Sequence, residues 1–217
     1  MVLAVFVVGY TYFYGAIGTE KMREIFKDYM QENIENYQDF EEVMFGLYEG
    51  TTTPGERGYA GVGQYYEIEY AHKKYDWVRF YISTDGYELV SNYENALKIL
   101  DYMDIATEYF HENVNEQNIV LTTVYCSPWI LESEDYDKFI KKPATKESVL
   151  DYIQIFEPKI TLNGADFNYK NLIDLDNRIS QVFPRGSSYE INFKDRTISC
   201  SSEILQEYNN YDELENR

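Results

Sequence analysis

The chain has little of the side-chain chemistry on which hydrolases and metal sites most often depend. Its 217 residues include two histidines and two cysteines. A Ser-His-Asp or Cys-His site would therefore have to use His72 or His111, and neither a G-x-S-x-G turn nor a cysteine-protease context accompanies them. No C-x-x-C pair and no Cys/His cluster has the spacing of a zinc site. Positive charge is scarce: 19 Lys and Arg stand against 38 Asp and Glu, a formal net charge of −19. Binding to a polyanion by counterion release needs a cationic surface. Direct nucleic-acid binding is accordingly not expected, nor is adhesion of the acidic body to anionic lipid. Charge of either sign is missing from the first eighteen residues, MVLAVFVVGYTYFYGAIG.

What is present belongs to a folded protein. The composition is 44% hydrophobic and 17% aromatic, with 23 tyrosines, an aromatic content that disordered acidic chains lack. A body of about 200 residues can bury a core without help from metals or a disulfide network. Residues 1–18 read as a hydrophobic signal or anchor segment, with an apolar start from Val2 and aromatic residues Tyr10, Tyr12, Phe13 and Tyr14 suited to a membrane interface. The run is slightly shorter than the roughly 20 residues of a crossing helix, it has no basic flank, and no A-x-A-like site follows. A buried strand is the alternative, because Val, Phe, Tyr and Thr are strand formers. Residues 19–205 are expected to form a single domain, and residues 206–217 a frayed acidic tail. Cys126 and Cys200 are either bridged or two buried thiols.

Periodicity predicts an α+β fold. Thr19 is placed to cap a helix running to about residue 37, with Met22, Ile25, Phe26, Tyr29 and Met30 on one face. A strand is expected over residues 40–48, and a glycine-rich loop over 49–63. Residues 64–71, 77–84 and 87–91 then alternate as an antiparallel meander, turned by Asp85-Gly86. Further on come a helix over 93–110, a strand over 118–125, and a helix over 133–142 with acids first and lysines last. Thr145 should cap another helix with Val149, Leu150, Ile153 and Phe156 inward, ended by Pro158. A helix over 172–183 and a hairpin of 189–193 with 197–201 complete the pattern. Strands in runs separated by helices favour α+β over a parallel α/β sheet.

Four features invite a chemical reading. The glycines at 55, 58, 61 and 63 lack phosphate-loop order and precede a strand, so they read as a connection. Glu67 and Glu69 share one face of a strand, as a catalytic or cation-binding carboxylate pair would, although a solvated sheet face has the same pattern. The Asp174-Leu-Asp176 run lacks the glycine and final glutamate of a calcium loop. In the meander, Tyr66, Ile68, Tyr70, Val78, Phe80 and Ile82 form the core side. Tyr65, Glu67, Glu69, Trp77, Arg79 and Tyr81 form the other face. Tyrosine and tryptophan interleaved with acids suit a protein-binding face, where aromatics anchor and carboxylates steer a basic partner. The alternative is that a helix covers this face and the acids lie at its rim.

The hydrophobic leader, the helix around Ile25-Phe26-Lys27-Asp28-Tyr29-Met30, and the segment GVGQYYEIEY at residues 61–70 together resemble the membrane-anchored immunity proteins of Gram-positive bacteria of the TipC type. The resemblance is architectural and covers roughly the first 90 residues. It implies a protein held at the cell membrane and facing outward that neutralises a secreted antibacterial toxin. The missing catalytic constellation points separately to a non-enzymatic protein without a cofactor, and the acidic, aromatic face to a partner with a basic surface. Two other classes stay open. One is a cytoplasmic acidic inhibitor or nucleic-acid mimic; the other is an enzyme built from scattered carboxylates.

Overall fold

A computed structural model of the chain describes residues 18–51, 62–85, 88–114 and 119–215. Residues 1–17 of the expected hydrophobic segment and residues 52–61 of the glycine-rich loop lie outside the described residues. The fold is α+β, with one antiparallel four-stranded sheet, one mixed four-stranded sheet, and seven α-helices among the described residues. The contacts divide the chain into two compact units, Met1–Leu97 and Lys98–Arg217.

The first unit begins with α1 (Thr19–Asn33), whose Met22, Phe26 and Met30 recur every four residues and are buried. Gly18 occupies the N-cap and Thr19 is already helical, so the expected threonine cap does not form. The helix also stops short of residue 37. The Ile34 amide closes on the Met30 carbonyl at 3.1 Å, and Asn36 turns left-handed at φ 58°, a conformation that ends a right-handed helix. Four strands follow: β1 (Phe40–Thr51), β2 (Val62–His72), β3 (Arg79–Asp85) and β4 (Glu88–Ser91), hydrogen-bonded in that order and all antiparallel. The β1–β2 pairing runs from Phe40 opposite His72 to Thr51 opposite Val62, so both strands extend into the segment expected to be loop.

Cross-strand pairs place Phe45, Ile68 and Ile82 on one face of this sheet. That face is the core. Phe26 meets Phe45 with ring centroids 6.1 Å apart, and Phe80 lies 5.0 Å from both Phe40 and Tyr93 and 5.4 Å from Tyr70. Tyr66, Ile68, Tyr70, Val78, Phe80 and Ile82 are all buried, as their alternation required.

The second unit contains the greater part of α2 (Tyr93–Asn113), then β5 (Ile119–Cys126), α3 (Ser133–Lys141), α4 (Lys146–Asp151), β6 (Phe156–Asn163), α5 (Tyr169–Val182), β7 (Ser188–Asn192), β8 (Thr197–Ser201), α6 (Ser202–Leu205) and α7 (Tyr211–Glu215). Its sheet runs β5-β6-β7-β8, with β6 and β7 parallel and the other pairs antiparallel. The parallel pair is joined through α5, as such a pair requires.

Two expectations are corrected here. The Thr145 helix has its capping box with Ser148, but it ends at Asp151, leaving Leu150 49% exposed. Phe156 and Pro158 belong instead to β6, where Phe156, Pro158, Ile160 and Leu162 alternate inward. Pro158 sits one residue before the β7 register begins at Lys159 opposite Ser188, where a proline is tolerated. The tail does not fray through residue 215. Leu214 is buried, the Tyr211 hydroxyl donates to the Phe167 carbonyl at 3.0 Å, and Arg196 pairs with Asp212 at 3.1 Å and with Glu215. Of the two readings open for the cysteines, the structure shows the second: Cys126 and Cys200 are free and buried, on the two outer strands of the second sheet. Three strand spacings of about 4.8 Å separate such strands, beyond the roughly 7 Å that a disulfide spans between Cα atoms. Burial pushes the Cys126 thiol well up, so it remains protonated.

Candidate functional site

The strand register assembles the opposite face of the first sheet in two rows. One row sets Met44, Glu69 and Tyr81 side by side; the next sets Gly46, Glu67 and Ser83. Four of the six residues proposed from sequence, Glu67, Glu69, Arg79 and Tyr81, line a single pocket of about 230 Å³, together with Met44 and Asn92. Asn92 is locked there because its Oδ1 accepts the Tyr81 amide at 2.8 Å. The Arg79 guanidinium donates to Glu69 Oε1 at 3.4 Å and to the Asp76 carbonyl at 2.7 Å.

Exposure divides these residues in a way that alternation did not reveal. Arg79 is exposed, and Tyr65, Glu69, Trp77 and Tyr81 are half-buried. Glu67, however, is only 3% exposed, and its cross-strand neighbour Ser83 is fully buried. Glu67 is thus an acid at the pocket floor and not part of a solvated surface stripe. A glycine helps shape this region. Tyr48 stacks on Tyr65 at 5.6 Å, and its ring crosses Gly46, where an added Cβ would lie 3.0 Å from the ring.

Trp77 stands apart from the pocket lining. The β2–β3 ladder starts with Ala71 opposite Arg79, and residues 76–77 form a turn. Its ring lies 5.3 Å from Tyr75, which stacks on His72 at 5.1 Å. The turn is held by His72, whose Nδ1 accepts the backbone amides of Lys74 at 3.2 Å and Tyr75 at 3.1 Å. Those bonds require an unprotonated Nδ1. Partial burial holds the imidazole below its ordinary pKa against the opposing pull of Asp39, and the Lys74 charge adds to the lowering. His111 is exposed in the last turn of α2.

A second polar site, in the second unit, is centred on Asp176, which the sequence offered only as part of a run without calcium-loop order. Asp176 is 2% exposed and accepts hydrogen bonds from the Tyr189 hydroxyl at 2.8 Å, Ser202 Oγ at 2.5 Å and Gln206 Nε2 at 2.7 Å. Asp176 and Ser202 also line a pocket of about 550 Å³. Gly186, at φ 89°, provides the tight turn into β7, and an added Cβ would lie 3.2 Å from Ser202. The sequence does carry a signal: Asp176 sits within the buried α5 stripe of Leu172, Leu175 and Ile179. A charged residue within an apolar stripe marks a buried network. With three donors on its two oxygens, this carboxylate ties α5 to β7 and α6.

Among the described residues, no group of three or more His, Cys, Asp or Glu side chains is arranged to hold a metal ion. No described helix is long and apolar enough to cross a membrane. The acid-floored, aromatic-edged pocket on an antiparallel sheet therefore defines the candidate site by its own geometry. Comparison with protein-family models, with characterised proteins and with solved structures finds no match to this chain.

Proposed function

We propose that the chain is a non-enzymatic acidic binding protein, an immunity protein that neutralises a secreted antibacterial toxin by occluding its active site. The observation that carries this reading is the convergence of Glu67, Glu69, Arg79 and Tyr81 on one pocket of an acidic chain. Glu69, half-buried beside Glu67, presents its carboxylate to an entering cation. A lysine or arginine of the toxin enters beside Glu69. It replaces the Arg79 contact, which is partly exposed and costs little to exchange. Tyr81 then supplies amphipathic contact area beside the ion pair. Trp77 and Tyr75 form a separate aromatic patch at the β2–β3 turn, and charge complementarity steers the encounter.

In this reading residues 1–18 tether the protein to the cell membrane, with the acidic body facing outward, where a secreted toxin is met. The binding test is protection of cells that carry this protein against secreted antibacterial toxins with a basic active-site surface. Glu69→Lys/Tyr81→Ala changes half-buried side chains and is expected to abolish protection while leaving the circular-dichroism spectrum unchanged. Full protection by that folded double variant would overturn the docking face. Glu67 is unsuited to charge reversal, since a buried lysine there would unfold the sheet. Recovery of the protein in the membrane fraction, with protease-sensitive sites beyond residue 18 on intact cells, is the expected result for location; recovery in the cytosol would overturn the tether.

A further inference from the structure

We propose that β1 is a strand-addition edge that accepts an extended segment of the partner with basic residues flanking an apolar centre. Among the described residues β1 is an outer strand of its sheet and spans twelve residues. It carries Val43, Met44 and Leu47 at 47%, 41% and 46% exposure. Long apolar edges invite pairing, and proteins normally guard them with lysine, proline, shortness or a covering group. The other outer strands show such guards. β4 has four residues, the Val124 amide of β5 donates to Thr107 Oγ1 at 3.2 Å, and β8 has five residues. β1 contains no lysine, arginine or proline. Among the described residues its guards are the glutamates near its ends and a bulge at Val43, where the register slips between Glu42 and Met44; residues 44–51 run on regularly beyond it.

Charge selects the occupant. β1 has Glu41, Glu42 and Glu49 and no cation of its own, and it borders the strand that carries Glu67 and Glu69. Arg23 of α1 answers Glu42 at 3.0 Å, while Glu41 is exposed. A second copy is a poor fit, because antiparallel pairing of two β1 strands sets the Glu41–Glu42 end of one against the Glu49 end of the other on chains of net charge −19. A foreign strand with lysines or arginines at its ends meets complementary charge, while its centre covers Met44 and Leu47. Main-chain bonds then supply affinity and the flanking cations supply selectivity.

The proposal rests on the proposed function only for the partner's basic character. The probe is a synthetic peptide, acetyl-Lys-Thr-Val-Thr-Val-Thr-Lys-amide, compared with its Glu-ended counterpart, on the full chain, by amide exchange and nuclear magnetic resonance. The expected result is new protection of alternate amides over residues 44–51 and about tenfold tighter binding of the lysine peptide at low salt, with the gap narrowing as salt screens the charges. Val43→Lys/Leu47→Lys alters two exposed side chains; it should weaken lysine-peptide binding at least about tenfold with Tm unchanged. Shifts centred elsewhere, equal binding of both peptides, or an indifferent double variant would each overturn the proposal. So would a peptide-free dimer with β1 protected, which would assign the edge to a second copy. Loss of protection in Glu69→Lys/Tyr81→Ala is read separately, so a failed edge and a failed docking face remain distinguishable.

Discussion

In residues 1–97 the carboxylates of Glu67 and Glu69 line a pocket beside Tyr81, on the sheet face opposite the aromatic core. In residues 98–217 the buried carboxylate of Asp176 is met by a tyrosine, a serine and a glutamine of its own unit. Both acids are almost fully buried, at 3% and 2% exposure. The difference lies in what surrounds them. Asp176 projects from a helix into the gap between elements, where donors from β7 and α6 converge. Glu67 projects from a strand of a sheet whose opposite face already holds the core, so its neighbours are the side chains of its own face. Burial of a carboxylate therefore does not by itself indicate its role; the element that carries it and the surface it faces do.

The sharpest test of that contrast is a core truncation in the first unit. Phe80 contacts Phe40, Tyr70 and Tyr93 and also lies beneath the pocket. Phe80→Ala should cost about 4 kcal/mol in urea unfolding and weaken toxin protection as well. Asp176→Ala should cost about 3 kcal/mol, since it strands three donors in a buried site, yet leave protection intact once the protein is folded. Equal damage to protection by both variants would break the comparison. Thr145→Ala removes a capping box from α4 and should lower stability by about 1 kcal/mol, again without effect on binding.

The smallest effect concerns pH and belongs to the first unit. His72 is held below its ordinary value of 6.5 in the folded protein. Between the lowered folded value and 6.5 the unfolded chain binds the proton more readily. The contribution of His72 to stability is therefore complete above pH 6.5 and is lost as pH falls through its folded pKa. A histidine titration by nuclear magnetic resonance, with unfolding measured at neutral and mildly acid pH, should show this slope in the wild type and not in His72→Gln.

The strands of the first sheet were readable because they alternate strictly over a half-buried surface, and that alternation correctly identified the core face from Tyr66 to Ile82. The α5 stripe and the β7–β8 hairpin were readable for the same reason. β6 was hidden by Pro158, which reads as a helix stop until the late start of β7 explains its place in a strand. α7 was hidden by an acidic, asparagine-rich composition, and it forms where Leu214, Tyr211 and the Arg196 ion pairs secure it. For the candidate site, sequence placed Glu67, Glu69, Arg79 and Tyr81 on one face, but it also placed Trp77 there, and the turn before β3 removes it from that group.

The sequence by itself determined the α+β class, the core face of the first sheet and the acidic, tyrosine-rich character of its other face, because periodicity and composition act locally along the chain. Only the tertiary structure decided that Glu67 is buried while Arg79 is exposed, that Asp176 is met by three donors, that the two cysteines stay apart, and that β1 is an outer strand among the described residues. Each of these depends on which distant segments come together, and residue spacing within one segment carries no record of that.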